Sequence, residues 1–117
     1  MAASIVVIVI DCNDSAPVAA FWMAALGYEV GAQNGTWIKL RDPAGVGPDL
    51  AIDPVPEGKV VKNRVHLDLM PSGSLDAEVA RLEQLGARVF RVFPDSHTVM
   101  QDPEGNEFCV LDPKTNG

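Results

Sequence analysis

The sequence predicts an α+β fold: two tandem β-α-β-β-β units whose curved sheets enclose a cleft, with the helices outside. Three observations carry this. The chain repeats itself, each half runs from an apolar strand through a helical pattern to three further strands, and turn signals fall at matching places. Leu26-Gly27-Tyr28-Glu29-Val30 returns as Leu85-Gly86-Ala87-Arg88-Val89, an offset of 59 (85 − 26). Asp42-Pro43-Ala44-Gly45 returns as Asp102-Pro103-Glu104-Gly105, an offset of 60 (102 − 42). Such strings are common singly. Two at nearly one offset, in the same order and context, point to a duplicated unit. The units divide near Pro54 to Lys59, giving 1–55 and 60–113 within one domain of 1–117.

Each element has a local reason. Ile5 to Asp11 is a β-branched run suited to a buried strand. Asp14 or Ser15 can cap a helix, and Pro17 fits its first turn. Val18, Phe21, Trp22, Ala25 and Leu26 recur at helical spacing on one face. Gly27 ends that helix, because glycine accepts the left-handed conformation there. Strands follow at Tyr28–Gln33, Thr36–Arg41 and Leu50–Asp53, with Asn34-Gly35 as a hairpin signal between the first two.

The second half is read likewise. Arg64–Met70 is a strand. Ser74–Leu85 is a helix with Leu75, Val79, Leu82 and Leu85 inward, closed by Gly86. Arg88–Phe93, Ser96–Gln101 and Asn106–Leu111 are strands, and Pro94-Asp95 and Asp102-Pro103-Glu104-Gly105 supply turns.

Composition bounds the function. The chain has 117 residues, 47% hydrophobic and 21% charged, which is the composition of a folded domain rather than a disordered one. Its net charge of −7 repels phosphate backbones and argues against nucleic acid as a partner. No basic amphipathic segment favours a membrane surface, and the run Ile5–Ile10 is too short to span one. The two cysteines, Cys12 and Cys109, lack CxxC spacing and read as reduced thiols of a cytoplasmic protein.

Side chains alternate along strands, so every strand has a helix face and an open face. Ile8 and Ile10 face the helix, leaving Val7, Val9 and Asp11 on the other side. Val65, Leu67 and Leu69 are the apolar set of the fifth strand, which puts His66, Asp68 and Met70 in the open. Ile38 and Leu40 go inward while Trp37, Lys39 and Arg41 go outward, and Trp37 corresponds to His97 by the repeat. On the last strand Phe108 and Val110 cover the helix, and Glu107, Cys109 and Leu111 face the opening. The predicted ligand-binding cleft therefore carries Val7, Asp11, Trp37, Lys39, His66, Asp68, His97 and Cys109, an apolar floor with a few polar groups.

Each residue also has a structural reading. Trp37 is equally a ligand platform or a sheet-surface aromatic at an oligomer contact. His97, near a turn, suits a solvated polar role. Cys109 suits a small buried hydrophobe. Asp11 and Asp68 can bond to backbone or pair with Lys62 or Arg64. His66 is the strongest candidate, because it puts a titratable group into an apolar strand, although a satisfied structural histidine fits that place as well.

The tandem units, Phe21-Trp22 followed by Leu26-Gly27, and Asp102-Pro103-Glu104-Gly105-Asn106 resemble the vicinal oxygen chelate superfamily. That group includes glyoxalase I, ring-cleaving dioxygenases and bleomycin-resistance proteins. Lys62-Asn63-Arg64-Val65-His66-Leu67-Asp68-Leu69 and Gly105-Asn106-Glu107-Phe108-Cys109 resemble its glyoxalase-like domain, and the resemblance covers almost the whole chain.

The resemblance implies a divalent metal held by one ligand from the first and last strand of each unit. The first ligand, usually His, falls at Val7, seven residues before Asp14; its counterpart in the second unit is His66. The last ligand, usually Glu, falls at Cys109, four residues after Gly105, with Ala51 as its counterpart. Glu107 lies two positions early. One His and one Cys are too few for such a site, unless Asp11, Asp53 or Asp68 completes an unconventional one.

The sequence thus predicts no metal, no cofactor and a glyoxalase-like protein with a degenerate metal site. It binds a small, partly apolar metabolite or antibiotic, as bleomycin-resistance proteins do. The alternatives are a metal-independent lyase or isomerase with His66 as general acid or base and Asp68 orienting it, and a metal-dependent glyoxalase or dioxygenase. A homodimer is expected, with Ala19, Ala20, Met23 and Ala24 left off the core stripe of the first helix as a contact surface.

Overall fold

A computed structural model describes residues 1–116. The chain divides into two compact units, Met1–Gly58 and the part from Lys59 onward. The first unit runs β1 (Val7–Cys12), α1 (Ser15–Leu26), β2 (Glu29–Asn34), β3 (Trp37–Arg41) and β4 (Asp49–Pro54). The second runs β5 (Asp68–Leu69), α2 (Leu75–Gln84), β6 (Arg88–Phe93), β7 (His97–Gln101), β8 (Glu107–Leu111) and a short α3 (Pro113–Asn116). The predicted tandem β-α-β-β-β order is the observed one.

Each unit builds the same four-stranded mixed sheet, ordered β1-β4-β3-β2 in one and β5-β8-β7-β6 in the other. The first and last strands of a unit pair in parallel, and the remaining pairs are antiparallel. A helix must therefore carry the chain from the first strand across the sheet, since parallel partners cannot be joined by a tight turn. The strand after each helix carries a bulge, at Val30/Ala32 in β2 and at Val89/Arg91 in β6.

The first unit's core follows the helical and strand periods. α1 buries Ser15, Val18, Ala19, Phe21, Trp22 and Ala25, and the sheet face beneath contributes Ile38, Leu40, Leu50 and Ile52. Phe21 and Trp22 meet edge-to-face with ring centroids 5.2 Å apart. Gly27 takes the left-handed conformation (φ 68°) and its N–H donates to the Met23 carbonyl, which stops the helix.

In the second unit Ser74 caps α2, its Oγ accepting from the Ala77 amide at 3.1 Å. Leu82 is the one fully buried residue of this helix, above a sheet face of Thr98, Met100, Phe108 and Val110.

The turns repeat as well. The Asp42 carboxylate accepts from the amides of Ala44 (2.9 Å), Val46 (3.3 Å) and Gly47 (2.9 Å). Asp102, wholly buried, accepts from the amides of Glu104 (2.9 Å) and Asn106 (3.0 Å). In both, the glycine three residues on donates to the aspartate carbonyl at 2.9 Å and has positive φ.

Four expectations are corrected. The strand expected over Arg64–Met70 is only Asp68–Leu69; ahead of it Lys59 and Asn63 are held by the Glu107 carboxylate of β8 rather than by a ladder. Val65 is consequently 78% exposed, not packed under α2. The β2–β3 turn centres on Gly35-Thr36, since Asn34 already pairs with Trp37. Ala19, expected on the outer face of α1, is buried, and Met23 is half-buried. Among the described residues no helix is long and apolar enough to cross a membrane.

Candidate functional site

The open face of the second unit is set by strand register. Asp68 of β5 pairs with Cys109 of β8, and Cys109 pairs with Val99 of β7. Partners across a ladder share a face, so Asp68, Cys109 and Val99 form one row on the side away from Phe108, Val110 and α2. The Cys109 amide donates to the Leu67 carbonyl at 2.9 Å, which holds the short β5 against β8. His66 lies two residues before Asp68 and shares its side.

The structure brings three of the predicted residues together. His66 Nε2 lies 3.2 Å from Asp68 Oδ1. One ligating atom from each of His66, Asp68 and Cys109 lies within 4.8 Å of the other two. His66 and Asp68 are exposed, and Cys109 is buried at the base. A contact this exposed contributes only about 0–1 kcal/mol to stability. Burial first, and then the neighbouring Asp68 carboxylate, push the Cys109 thiol up from its ordinary value, with Lys62 opposing. Cys109 is therefore a neutral thiol at neutral pH, not a thiolate nucleophile.

His97 stands apart from this trio. Its ring stacks on Phe93 (4.6 Å between centroids), and its Nδ1 lies 2.7 Å from Ser96 Oγ. In the first unit Val7 and Trp37 are half-buried and Asp11 is exposed on β1. Lys39 pairs with Asp49 at 3.4 Å.

Sequence reasoning missed the group beside the trio. Glu107 is 6% exposed; its carboxylate accepts from the Asn63 amide (2.8 Å) and from Lys59 Nζ (3.1 Å). Burial alone would raise the Glu107 carboxyl, but the Asn63 amide and the Lys59 ammonium outweigh it and hold it below its ordinary range. Lys59 also donates to the Val61 carbonyl. The segment leading to His66 is thus fastened to β8 two residues from Cys109. No periodicity announces this, because Lys59 lies in the stretch that reads as the boundary between units.

A groove of about 760 Å³ opens on the other side of this unit, between α2, β6 and the chain end, lined in part by Leu75, Val79, Val89, Val92 and Phe93. It faces away from the trio.

The two tandem β-α-β-β-β units, together with a family model that matches most of the chain, place the protein in the vicinal oxygen chelate superfamily. The chain belongs to the glyoxalase-like domain family, whose model spans residues 7–111. Among solved structures it is similar to a glyoxalase/bleomycin resistance protein from Albidiferax ferrireducens (21% identity, covering 92% of this chain and 96% of that one, TM-score 0.65). It is also similar to a glyoxalase/bleomycin resistance protein/dioxygenase family enzyme from Burkholderia phytofirmans (15%, 91% and 95%, TM-score 0.73). A possible glyoxalase from Bacillus cereus matches comparably (18%, 94% and 99%, TM-score 0.73). These likenesses are of fold. No curated protein matches the chain.

Proposed function

We propose that this chain is a glyoxalase-like small-molecule-binding protein whose working surface is the open face of the second unit. The observation that carries the reading is the placement of His66, Asp68 and Cys109 within 4.8 Å of one another. The repeat puts Val7, Val9 and Ala51 at the matching positions of the first unit, so the polar trio is not demanded by the scaffold. A half-exposed imidazole and carboxylate beside an apolar sheet suit a ligand that is partly apolar and carries one polar group. The superfamily's four-ligand metal arrangement does not fit these residues, because Val7 and Ala51 offer no donor.

Native mass spectrometry of tag-free protein purified from its own host tests this reading. A small molecule retained by the wild type and lost from His66→Ala, with unchanged melting, is the expected result. Equal retention by both proteins would overturn it.

A second reading has its own support. The Asp68 carboxylate on Nε2 orients the imidazole and leaves Nδ1 for a substrate proton, which is the arrangement of a general acid–base pair. A pH–rate profile that loses its imidazole limb in His66→Ala would favour an enzyme over a binding protein.

The buried thiols Cys12 and Cys109 support a reducing, cytoplasmic setting. We also infer a homodimer, supported by the exposed apolar side chains of Val89, Phe90 and Val92 on β6. Light scattering giving a mass near 12.5 kDa at tens of micromolar would refute it.

A further inference from the structure

We propose that the groove between α2 and β6 is a second binding site, on the opposite side of the unit from His66, and that it takes a small organic cation with an apolar body. The proposal goes beyond the reading above and does not depend on it. It starts from two valines. Val89 pairs with Met100 and Val92 with Thr98, so they share the helix-facing side of the sheet with residues that are 0% and 4% exposed. The bulge between Val89 and Arg91 lets both valines face that side although they stand three positions apart. Yet Val89 is 40% exposed and Val92 58%. The helix buries only Leu82 and leaves Leu75 and Val79 half-buried across the gap. The result is a groove of about 760 Å³, inside the roughly 300–1,000 Å³ range of small-molecule pockets.

The apolar floor and the charge around it are both additions to the scaffold. By register, Val89 and Val92 match Val30 and Gln33 of the first unit, whose ladder partners are Leu40 and Ile38. Gln33 thus shows that the scaffold accepts a polar side chain where Val92 stands. Four acidic residues line the groove, Asp76, Glu83, Asp95 and Asp112, against one basic residue, Lys114. The Asp112 carboxylate is taken by the Lys114 amide at 2.9 Å. Asp76, Glu83 and Asp95 are exposed, and their carboxylates have no ion pair or hydrogen bond among the described residues. Asp76 at the start of α2 also suits the helix dipole. Glu83 stands in the last turn, where the dipole disfavours a carboxylate, so helix stability does not account for it. Counted from the caps Asp14 and Ser74, the matching residues of α1 are Ala16 and Met23, neither of them charged. The Phe93 ring is already engaged by the His97 ring at 4.6 Å and the Arg91 guanidinium at 4.7 Å. Leu75, Val79, Val89 and Val92 are therefore the surfaces left for an apolar body. A positive group on that body meets the free carboxylates, whereas an anion meets net negative charge.

The test titrates isotope-labelled full-length protein with phenethylamine, and with phenethyl alcohol and hydrocinnamate as neutral and anionic controls. Amide NMR shifts should be confined to α2, β6 and the turn at Asp95. The amine should bind roughly tenfold more tightly than the alcohol, as several weak surface attractions add, and salt should erode that preference. The anion should bind least. Val92→Gln, which installs the first unit's residue, and Asp76→Asn combined with Glu83→Gln should each weaken the amine roughly tenfold, with melting unchanged because all three side chains are exposed. An alcohol that binds as well as the amine, shifts at Asp68 and Cys109 instead of the groove, or undiminished affinity in both variants would overturn the site. Should Val92→Gln fail to fold, the carboxylate variant alone decides. A wild-type dimer that Val92→Gln dissociates, with no amine bound, gives the groove to a second copy and overturns the proposal. Capture of a basic amphipathic peptide but of no amine gives it to a protein partner and overturns it equally. His66→Ala should bind the amine as the wild type does, so failure of the open-face reading leaves this site standing.

Discussion

The two units share strand order, register, turn chemistry and bulge position, yet they spend their side chains differently. α1 seats six residues in its core, whereas α2 seats Leu82 alone. On the open faces the contrast reverses. β1 and β4 present Val7, Val9 and Ala51, while the matching positions of the second unit hold His66, just before β5, and Asp68 and Cys109 on β5 and β8. Duplication supplied one scaffold twice. The copy with the deeper helix–sheet core has apolar side chains where the copy with the thinner core has the polar trio, although its own open face carries Asp11, Asp53 and the Lys39–Asp49 pair. The dense packing and the polar trio therefore fall on different copies, and substitutions can separate them.

The largest effect is expected where packing is densest. Trp22→Ala should cost about 3–5 kcal/mol, because Trp22 is 1% exposed and touches Phe21 edge-to-face. Leu82→Ala should cost nearer the lower end of the about 2–5 kcal/mol typical of buried Leu→Ala changes, since the rest of α2 is half-buried or exposed and can settle toward the sheet. Urea unfolding of both variants checks the order, and a larger loss in Leu82→Ala would break the comparison.

Next come the repeated turns. Asp102→Ala leaves the Glu104 and Asn106 amides without their carboxylate and should cost about 1–3 kcal/mol. Asp42→Ala, in the more open copy of the turn, should cost less. By contrast, His66→Ala should change stability by no more than about 0.5 kcal/mol, since the side chain is exposed. A loss comparable with Asp102→Ala would make His66 a structural histidine.

The smallest effect is one of pH. Hydrogen bonds from the Gly47 and Ala44 amides hold the Asp42 carboxyl below its ordinary value of 3.8, against a smaller opposing effect of burial. A depressed carboxyl contributes stability that is present above the unfolded value and is lost as pH falls through the folded one. The Asp42 carboxyl carbon should therefore titrate below 3.8 in an NMR series. A midpoint at or above that value would show that the turn does not hold the charge.

Much of this was legible before any coordinates. The repeat offset gave the tandem units. The period of Val18, Phe21, Trp22 and Ala25 gave the buried face of α1. Alternation gave the inward Ile38 and Leu40, but it failed at Val65, which is exposed like the neighbouring His66. What stayed hidden depended on pairing between distant segments. That Asp68 lies opposite Cys109 follows only from the parallel β5–β8 ladder, and nothing local to either residue states it. The hold of Glu107 on Lys59 and Asn63 was hidden for the same reason, because it joins residues 44 or more positions apart. His97 was paired with Trp37 by the repeat, but its stacking on Phe93 depends on the hairpin that faces those rings.

The bulges bear on a different matter, the behaviour of the chain in concentrated solution. β6 stands last in its sheet's strand order and carries Val89, Phe90 and Val92, all between 40% and 58% exposed. A flat strand of that composition would template the addition of a strand from another molecule and start an aggregate. The irregularity between Val89 and Arg91 interrupts the even row of backbone donors and acceptors and twists the strand, and Arg88 and Arg91 place positive charge along it. Side chains of β6 thus remain available to a partner while its backbone is a poor seed for fibre growth.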